Sequence, residues 1–313
     1  PLPPGVTLAR WREAQRSFLT RADRILAPAG ACAELFAQVY PESAPMRAPH
    51  MDRDRDWPYP DPVVPTVGSD EPLRVLALGA LSREKGADVL EECATRARRD
   101  KAGVEFRLLG YAYRPLEGVS CSGGYGPGAL DTLISKEAPH LIWFPAQWPE
   151  THSYTLSAAL RSGCPIMAPS FGAFPERTRE RPLTWLEPWD LSADAWLARF
   201  EAVRAELLAY PVGQAHHWPQ PARRGTEDCD YRHDYARVMT GYGGKQGVDV
   251  DLHEALTALD RAHAAARRAR LLATARTALL RLAQHPRLWR VRRWLPDRLK
   301  SFLRQLLRRQ PVS

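Results

Sequence analysis

The fold is decided by the stretch Leu73-Arg74-Val75-Leu76-Ala77-Leu78-Gly79, an apolar run of strand length that ends in glycine. A helix-like segment follows over residues 86–99, and the pattern then recurs as Val104-Glu105-Phe106-Arg107-Leu108-Leu109-Gly110. Glycine directly after an apolar run marks the tight turn that closes a strand. Two such units in succession predict parallel strands with helices packed between them.

The same alternation extends outward in both directions. Toward the C-terminus, apolar runs over residues 141–144 and 165–168 flank a helical pattern over 153–162. Toward the N-terminus, a helix near 7–24, a short strand over 24–28 and a helix over 31–40 precede a link rich in Pro and Asp over about 52–72. We therefore predict an α/β fold with a mostly parallel, Rossmann-like sheet, helices on both faces, and a ligand beyond the C-terminal ends of the strands.

These changes of pattern predict four segments. They are a crossover segment with helices and short strands over residues 1–60, a Rossmann-like domain over 61–211, a loop-rich boundary over 212–250 and a helical tail over 251–313. The chain opens with Pro1-Leu2-Pro3-Pro4-Gly5, which is typical of a linker. We expect it to be a piece of a longer protein.

The charge is distributed unevenly along the chain. Residues 261–313 contain 15 Lys and Arg against one acid, Asp297, so this region carries a formal charge of +14. The whole chain carries +8, which leaves a formal charge of −6 on residues 1–260. Leu and Ala at helical spacing over 252–282, and an apolar stripe after Pro296 opposite Lys and Arg, predict two basic amphipathic helices. Two interpretations stay open: packing against another domain or subunit, or insertion of Trp289, Trp294 and Phe302 into an anionic membrane interface.

Composition excludes several classes of protein. A hydrophobic content of 44% and a charged content of 26% are typical of globular proteins. The sequence contains no uninterrupted apolar run of about 18 residues, so it predicts no membrane-spanning helix. The five cysteines form no CxxC pair, which argues for a reducing cytosol and against a disulfide framework. His216-His217 and the polar residues over 228–234 match no standard metal spacing, so we predict a polar loop and no metal site. No nucleic-acid-binding module accompanies the basic tail.

The most specific motif is Trp148-Pro149-Glu150-Thr151-His152-Ser153-Tyr154-Thr155-Leu156-Ser157, which continues through Gly163-Cys164-Pro165 to Gly172-Ala173 and Glu176-Arg177. In it, a carboxylate lies just before a helix that begins with small hydroxylated residues. The free N–H groups and the positive end of that helix favour a diphosphate, and Glu150 can accept hydrogen bonds from sugar hydroxyls. The motif therefore predicts a pocket for a sugar diphosphate.

Together with residues 79–86, Gly124-Tyr125, Leu130 and Phe144-Pro145, this motif resembles the C-terminal half of retaining, GT-B-fold glycosyltransferases of family 4, the type that builds bacterial surface polysaccharides. The resemblance covers about residues 20–205. It implies that residues 61–211 bind a nucleotide-sugar donor, that the sugar is transferred with retention to a glycan or lipid-linked glycan acceptor, and that no cofactor is needed. It also implies an acceptor-binding half before Pro1.

The resemblance assigns roles to individual residues. Lys85 corresponds to the lysine that pairs with the donor diphosphate, and Glu150 to the glutamate that contacts the donor sugar, where we expect it to position the sugar and not to attack it. These two form the predicted catalytic set. The predicted donor-binding set is Gly79, Arg83, Gly110, Tyr111, His152, Ser153, Tyr154, Thr155 and Ser157.

Simpler interpretations stand beside these roles. Lys85 can be a solvated loop residue, Glu150 a helix cap, and His152 a structural histidine. Tyr111, which we expect against the nucleotide base, can be a packing residue.

Two departures from the family pattern affect the function. The family's second glutamate, a ribose ligand, falls on Ala158, and its usual arginine falls on Ala80, so Ser157 or Arg83 would have to compensate. The alternative function is a non-catalytic GT-B-like scaffold that docks a glycan-assembly complex to the membrane. For either function the sequence predicts a cytoplasmic protein, or one peripheral to the inner face of the cytoplasmic membrane.

Overall fold

The computed structural model describes residues 5–50, 58–126 and 128–220. The elements in this part of the chain are α1 (Leu8–Leu19), β1 (Leu26–Ala27), α2 (Gly30–Val39), β2 (Met46–Arg47), β3 (Leu73–Leu81), α3 (Ala87–Asp100), β4 (Val104–Ala112), β5 (Ser120–Cys121), α4 (Leu130–Glu137), β6 (Leu141–Trp143), α5 (Tyr154–Ser162), β7 (Ile166–Pro169), α6 (Ala173–Arg177), β8 (Thr184–Glu187) and α7 (Ala193–Ala209).

Six strands form one sheet in the order β5-β4-β3-β6-β7-β8, and every neighbouring pair is parallel. β3 and β4 pair along their full length, from Leu73 opposite Val104 to Leu81 opposite Ala112. The chain builds outward from β3 to β5 and then continues with β6 on the other side of β3. Such a reversal leaves a crevice at the C-terminal ends of the two central strands. The predicted α/β fold with a Rossmann-like parallel sheet is confirmed.

The two faces of the sheet have separate apolar cores. On one face, beneath α3 and α7, the Trp143 ring lies 5.1 Å from Trp196 and 5.0 Å from Phe200 between centroids. On the other face, Ile142 packs in a core with Phe174 and the buried residues of α4 and α5. Neighbouring residues of one strand thus enter different cores, which explains why β6 and β7 are apolar throughout and β3 nearly so.

Residues 5–50 pack against the sheet domain through Glu176. The Glu176 carboxylate accepts a hydrogen bond from the Gly30 N–H at 2.7 Å and pairs with Arg47 at 2.6 Å. Because the N-cap residue of α2 is Ala29, which has no capping side chain, this carboxylate supplies the anion that a helix N-terminus favours. In the same unit, β1 and β2 form a separate two-stranded parallel sheet.

The segments before β3 and after α7 are joined. Val63 and Ala215 form an antiparallel bridge, and the Trp218 ring stacks on Tyr59 with centroids 6.1 Å apart. Residues 213–220 of the predicted boundary are therefore fixed to the domain. The part of that boundary after residue 220 and the predicted basic helices of the tail lie outside the described residues.

The helices predicted near 7–24, 31–40, 86–99 and 153–162 are found as α1, α2, α3 and α5, with shifted ends. The sequence analysis did not predict β2, β5, β8, α4, α6 or α7. No helix among the described residues is both long and apolar enough to cross a bilayer.

Candidate functional site

A cleft of about 50 Å³ opens at the C-terminal ends of β3 and β6. This is the crevice at which parallel sheets of this strand order bind ligands. Its lining includes residues of β3, of the loops after β3 and β6, and of the start of α5, among them Gly79, Lys85, Pro145, Glu150, Ser153 and Thr155.

Lys85 and Glu150 meet in this cleft, with Nζ 3.2 Å from Oε1. The Lys85 side chain is 52% exposed and the Glu150 side chain 19%, so the carboxylate lies in the wall while the ammonium faces solvent. An ion pair with one partner this exposed contributes little to the free energy of folding. Lys85 is therefore free to exchange Glu150 for an anionic ligand at low cost.

Two glycines allow the loops of the cleft to approach each other. Gly86 has φ +83°, and a Cβ there would lie 1.9 Å from the carbonyl oxygen of Pro145. Gly172 has φ +65°, and its Cβ would lie 2.8 Å from the carbonyl oxygen of Glu150. That same oxygen accepts a hydrogen bond from the Ala173 N–H at 2.8 Å. The position of Glu150 thus depends on close backbone packing.

The N-terminus of α5 borders the cleft. Ser153, its N-cap residue, has φ +66°, and its hydroxyl accepts a hydrogen bond from the Leu156 N–H at 3.3 Å. The Ser153 and Thr155 hydroxyls are 3.2 Å apart. Within residues 5–50, 58–126 and 128–220, nothing accepts a hydrogen bond from the N–H of Ser153 or Tyr154. Free N–H groups at a helix start, beside a lysine, form a favourable environment for a phosphate.

Arg83, from the predicted donor-binding set, is not among the residues that line the cleft. Its side chain is 75% exposed, its Nε lies 3.0 Å from Asp88, and its guanidinium lies over the Tyr113 ring. Arg83 is therefore held at the first turn of α3 in this structure.

Gly110 and Tyr111 lie on β4. Gly110 is paired with Gly79 in the ladder, and Tyr111 follows it with 56% of its surface exposed. Burial raises the pKa of the Tyr125 phenol, and Tyr111 raises it further. Neither Gly110 nor Tyr111 lines the cleft.

His152 and Tyr154 belong to an aromatic cluster and are not among the residues that line the cleft. The buried His152 ring lies 4.7 Å from His50 and 5.1 Å from Tyr154 between centroids, and His50 lies 5.6 Å from Tyr154. The contact of His50 with this cluster was not expected from the sequence, because nothing in the local sequence predicts that it packs on residues a hundred positions later.

Ser157 faces the protein interior. It is 2% exposed, and its hydroxyl accepts a hydrogen bond from Arg177 Nη2 at 2.8 Å. Ala158 is 1% exposed and packs in the second apolar core. In this structure neither Ser157 nor Arg83 lines the cleft, so neither compensates there for the absence of a carboxylate at position 158.

Within the described ranges, no group of three or more His, Cys, Asp or Glu is arranged to hold a metal ion. Of the histidine pair considered in the sequence, His217 Nδ1 lies 3.5 Å from Asp61, and the His216 ring packs on Tyr210.

No protein-family model and no curated protein sequence matches this chain. Solved structures of GT-B glycosyltransferases are similar to it. HepE from Anabaena, solved with UDP and glucose, is 14% identical over 78% of this chain and 69% of its own, with a TM-score of 0.49. Sucrose-phosphate synthase from Thermosynechococcus elongatus is 16% identical over 65% of this chain and 54% of its own, with a TM-score of 0.45.

The apo form of WaaB, a lipopolysaccharide outer core galactosyltransferase, is 16% identical over 61% of this chain and 56% of its own, with a TM-score of 0.45. The chain spans 64% of HepE solved with UDP alone, which is less than two thirds of that protein's length. At these identities the similarity is one of fold.

Proposed function

We propose that this chain carries the donor-binding half of a retaining glycosyltransferase, which transfers a sugar from a nucleotide sugar to a glycan acceptor in bacterial surface polysaccharide synthesis. The proposal is carried by the meeting of Lys85 and Glu150, 3.2 Å apart, in a cleft that also contains the start of α5. A sugar diphosphate needs a cation and N–H donors for its phosphates and an acceptor for its sugar hydroxyls. This cleft offers all three within a small space.

In the proposed transfer, the bond between the anomeric carbon and the diphosphate oxygen breaks, and a bond to the acceptor oxygen forms on the same face of the sugar. The acceptor proton passes to the leaving diphosphate. Lys85 and the N–H groups at the start of α5 stabilise the charge that develops on that diphosphate. Glu150 accepts hydrogen bonds from the sugar hydroxyls and thereby positions the anomeric carbon.

Donor binding would change the partners of both charged residues. Without ligand, Lys85 is paired with Glu150. A diphosphate carries more negative charge than the carboxylate and competes for the ammonium. Once Lys85 has moved to the phosphates, the Glu150 oxygens become acceptors for sugar hydroxyls. One ligand therefore satisfies both residues.

Calorimetry with the diphosphates of uridine, guanosine, adenosine, cytidine and thymidine tests the proposal, beginning with UDP and UDP-glucose. We expect at least one of them to bind, and Lys85→Met to weaken that binding about 10-fold or more because a charge-assisted hydrogen bond is lost. Lys136→Met removes an exposed lysine of α4 and serves as the control, because it causes the same change in net charge. Absence of binding by the whole panel contradicts the proposal.

The alternative, a non-catalytic GT-B-like scaffold, is favoured by one observation, the buried Ala158 at the position of the family's second glutamate. It predicts that no nucleoside diphosphate binds. For either function we propose a cytoplasmic location, or a peripheral one on the inner face of the cytoplasmic membrane. Residues 286–313, which lie outside the described part, would then contact anionic lipid.

A further inference from the structure

We propose that Arg177 is a positioning residue of the donor cleft. Its buried guanidinium holds the loop between Glu150 and α5 in the conformation that presents N–H groups to a diphosphate. The inference rests on the proposed function for the identity of the ligand, while the geometry of the loop stands without it. Arg177 is the last residue of α6, and only 5% of its surface is exposed.

The guanidinium of Arg177 binds the backbone of the loop directly. Nη1 donates hydrogen bonds to the carbonyl oxygens of His152 and Ser153, each at 2.8 Å. Nη2 donates to the Ser157 hydroxyl at 2.8 Å and to the Tyr59 hydroxyl at 3.3 Å. Because the donors of a guanidinium lie in one rigid plane, these acceptors are fixed relative to one another.

The short helix α6 therefore holds the loop at both of its ends. At its N-terminus, the Ala173 N–H donates to the Glu150 carbonyl oxygen at 2.8 Å. At its C-terminus, Arg177 binds the carbonyl groups of His152 and Ser153. The segment from Glu150 to Ser153 is thus anchored where it carries the carboxylate and again where it begins α5.

The direction of the two bound carbonyl groups determines where the N–H groups point. In a trans peptide the N–H lies opposite the C=O of the same unit. Since the carbonyls of His152 and Ser153 both face Arg177, the N–H groups of Ser153 and Tyr154 face away from it. Ser153 itself lines the cleft, so the donor that faces away from Arg177 at this residue belongs to the cleft wall.

The backbone of Ser153 also requires support. A φ of +66° is unfavourable for serine, and such conformations persist where surrounding contacts hold them. Arg177 supplies that contact through its hydrogen bond to the Ser153 carbonyl oxygen. A cation on the carbonyl oxygens also polarises the peptide units and strengthens their N–H groups as donors.

Arg177→Met and Arg177→Lys test the inference, with Arg181→Met as a matched control. Arg181 is likewise buried, at 4% exposure, but donates to the Cys164 carbonyl and the Thr184 hydroxyl and not to the loop. Two properties are measured on the full chain: affinity for the tightest-binding nucleoside diphosphate of the panel, and amide hydrogen exchange of residues 150–157.

We expect Arg177→Met to weaken nucleotide binding about 10-fold or more and to speed exchange in residues 150–157, because a displaced loop misdirects its donors. Arg177→Lys should fall between wild type and Arg177→Met, since one ammonium cannot bind all four acceptors. Arg181→Met should lower stability while leaving both properties at wild-type values.

Equal loss of affinity in Arg177→Met and Arg181→Met would overturn the proposal, because it would show general damage to the fold. Wild-type affinity in Arg177→Met would overturn it as well. If no nucleotide binds the wild type, the proposed function fails and the exchange rates alone decide about Arg177, with unchanged exchange in residues 150–157 counting against it. If Arg177→Met does not fold, the same comparison is made with Arg177→Lys.

Discussion

Lys85 and Glu150 lie on loops that follow different strands, yet Nζ and Oε1 are 3.2 Å apart. They meet because β3 and β6 are neighbours in the sheet, although β4 and β5 come between them in the sequence. Strand order thus brings a cation and a carboxylate to the same crevice. Under the proposed function the pair separates two parts of ligand recognition, since the cation would serve the phosphates and the carboxylate would serve the sugar.

Glu150→Gln is expected to weaken sugar binding without weakening diphosphate binding. Removing a negative charge next to the phosphates leaves the affinity for a free nucleoside diphosphate unchanged or improved. The extra affinity that the sugar provides should fall about 10-fold, because hydrogen bonds to a carboxylate are stronger than those to an amide. Calorimetry with both ligands measures the difference. Glu84→Gln, an exposed change in the loop after β3, is the control, and equal weakening of both ligands would contradict the assignment.

The central sheet could be predicted from the sequence because its strands are buried on both faces. β6 and β7 are apolar throughout and β3 nearly so for this reason, whereas β4 carries the partly exposed Glu105 and Arg107 in its first half. β5 has two exposed residues, and its pairing is determined by β4, not by its own sequence. In α7 the exposed face carries Ala202, Ala205 and Leu208 beside the buried residues, which obscures the helical period.

The candidate site could be predicted where it depends on strand ends and helix starts. Lys85 and Glu150 follow strands, and Ser153 caps a helix, so local sequence places all three at the C-terminal edge of the sheet. Local sequence does not give the direction of His152 and Ser157, because that depends on contacts with residues far along the chain. His152 packs on the ring of His50, and Ser157 binds a buried arginine.

Gly86→Ala is expected to destabilise the protein strongly. The new Cβ would lie 1.9 Å from the Pro145 carbonyl oxygen, and the backbone would keep a φ of +83° that alanine rarely adopts. We expect a loss of about 2 kcal/mol or more in the free energy of unfolding, measured by urea denaturation. Gly103→Ala is the control, because nothing lies within 4 Å of its Cβ. Similar losses in both variants would show that the close approach is unimportant.

Ala158→Glu tests whether the site has lost a carboxylate that it can still accommodate. Ala158 is 1% exposed in an apolar core, so a glutamate there would bury a charge. We expect it to cost about 3 kcal/mol of the free energy of unfolding and to give no gain in nucleotide affinity. Ala205→Glu, on the exposed face of α7, should cost little. A large gain in affinity without loss of stability would indicate that position 158 still faces the donor.

The basic C-terminal region predicts binding to anionic membranes. Residues 261–313 hold 15 of the chain's Lys and Arg against one acid. We expect sedimented vesicles that contain anionic lipid to retain the full chain, and we expect deletion of residues 286–313 to abolish retention. Raising the salt concentration should weaken binding. Equal retention of the shortened chain, or equal retention by neutral vesicles, would contradict this prediction.

His140 is expected to make stability depend on acidity. It is fully buried, and its Nδ1 accepts a hydrogen bond from the Arg74 N–H at 3.1 Å. Burial, with repulsion from the Arg74 guanidinium as a second cause, lowers the pKa of His140 to about 4. In the unfolded chain this pKa is about 6.5. As the pH falls from about 6.5 toward 4, the unfolded chain binds a proton that the folded chain does not, so the free energy of unfolding decreases.

His140→Asn isolates this contribution, because an asparagine Oδ1 can accept the same hydrogen bond from Arg74 and does not titrate in this range. The variant should be less stable at neutral pH, since it packs less apolar surface. Its free energy of unfolding, measured by urea denaturation, should then fall less steeply with acid, so that the difference between the two proteins changes by about 3 kcal/mol between neutral pH and pH 4. Carboxylates titrate in both proteins and cancel in that difference. Curves that stay parallel from neutral pH to pH 4 would show that His140 takes up its proton equally in the folded and unfolded chains.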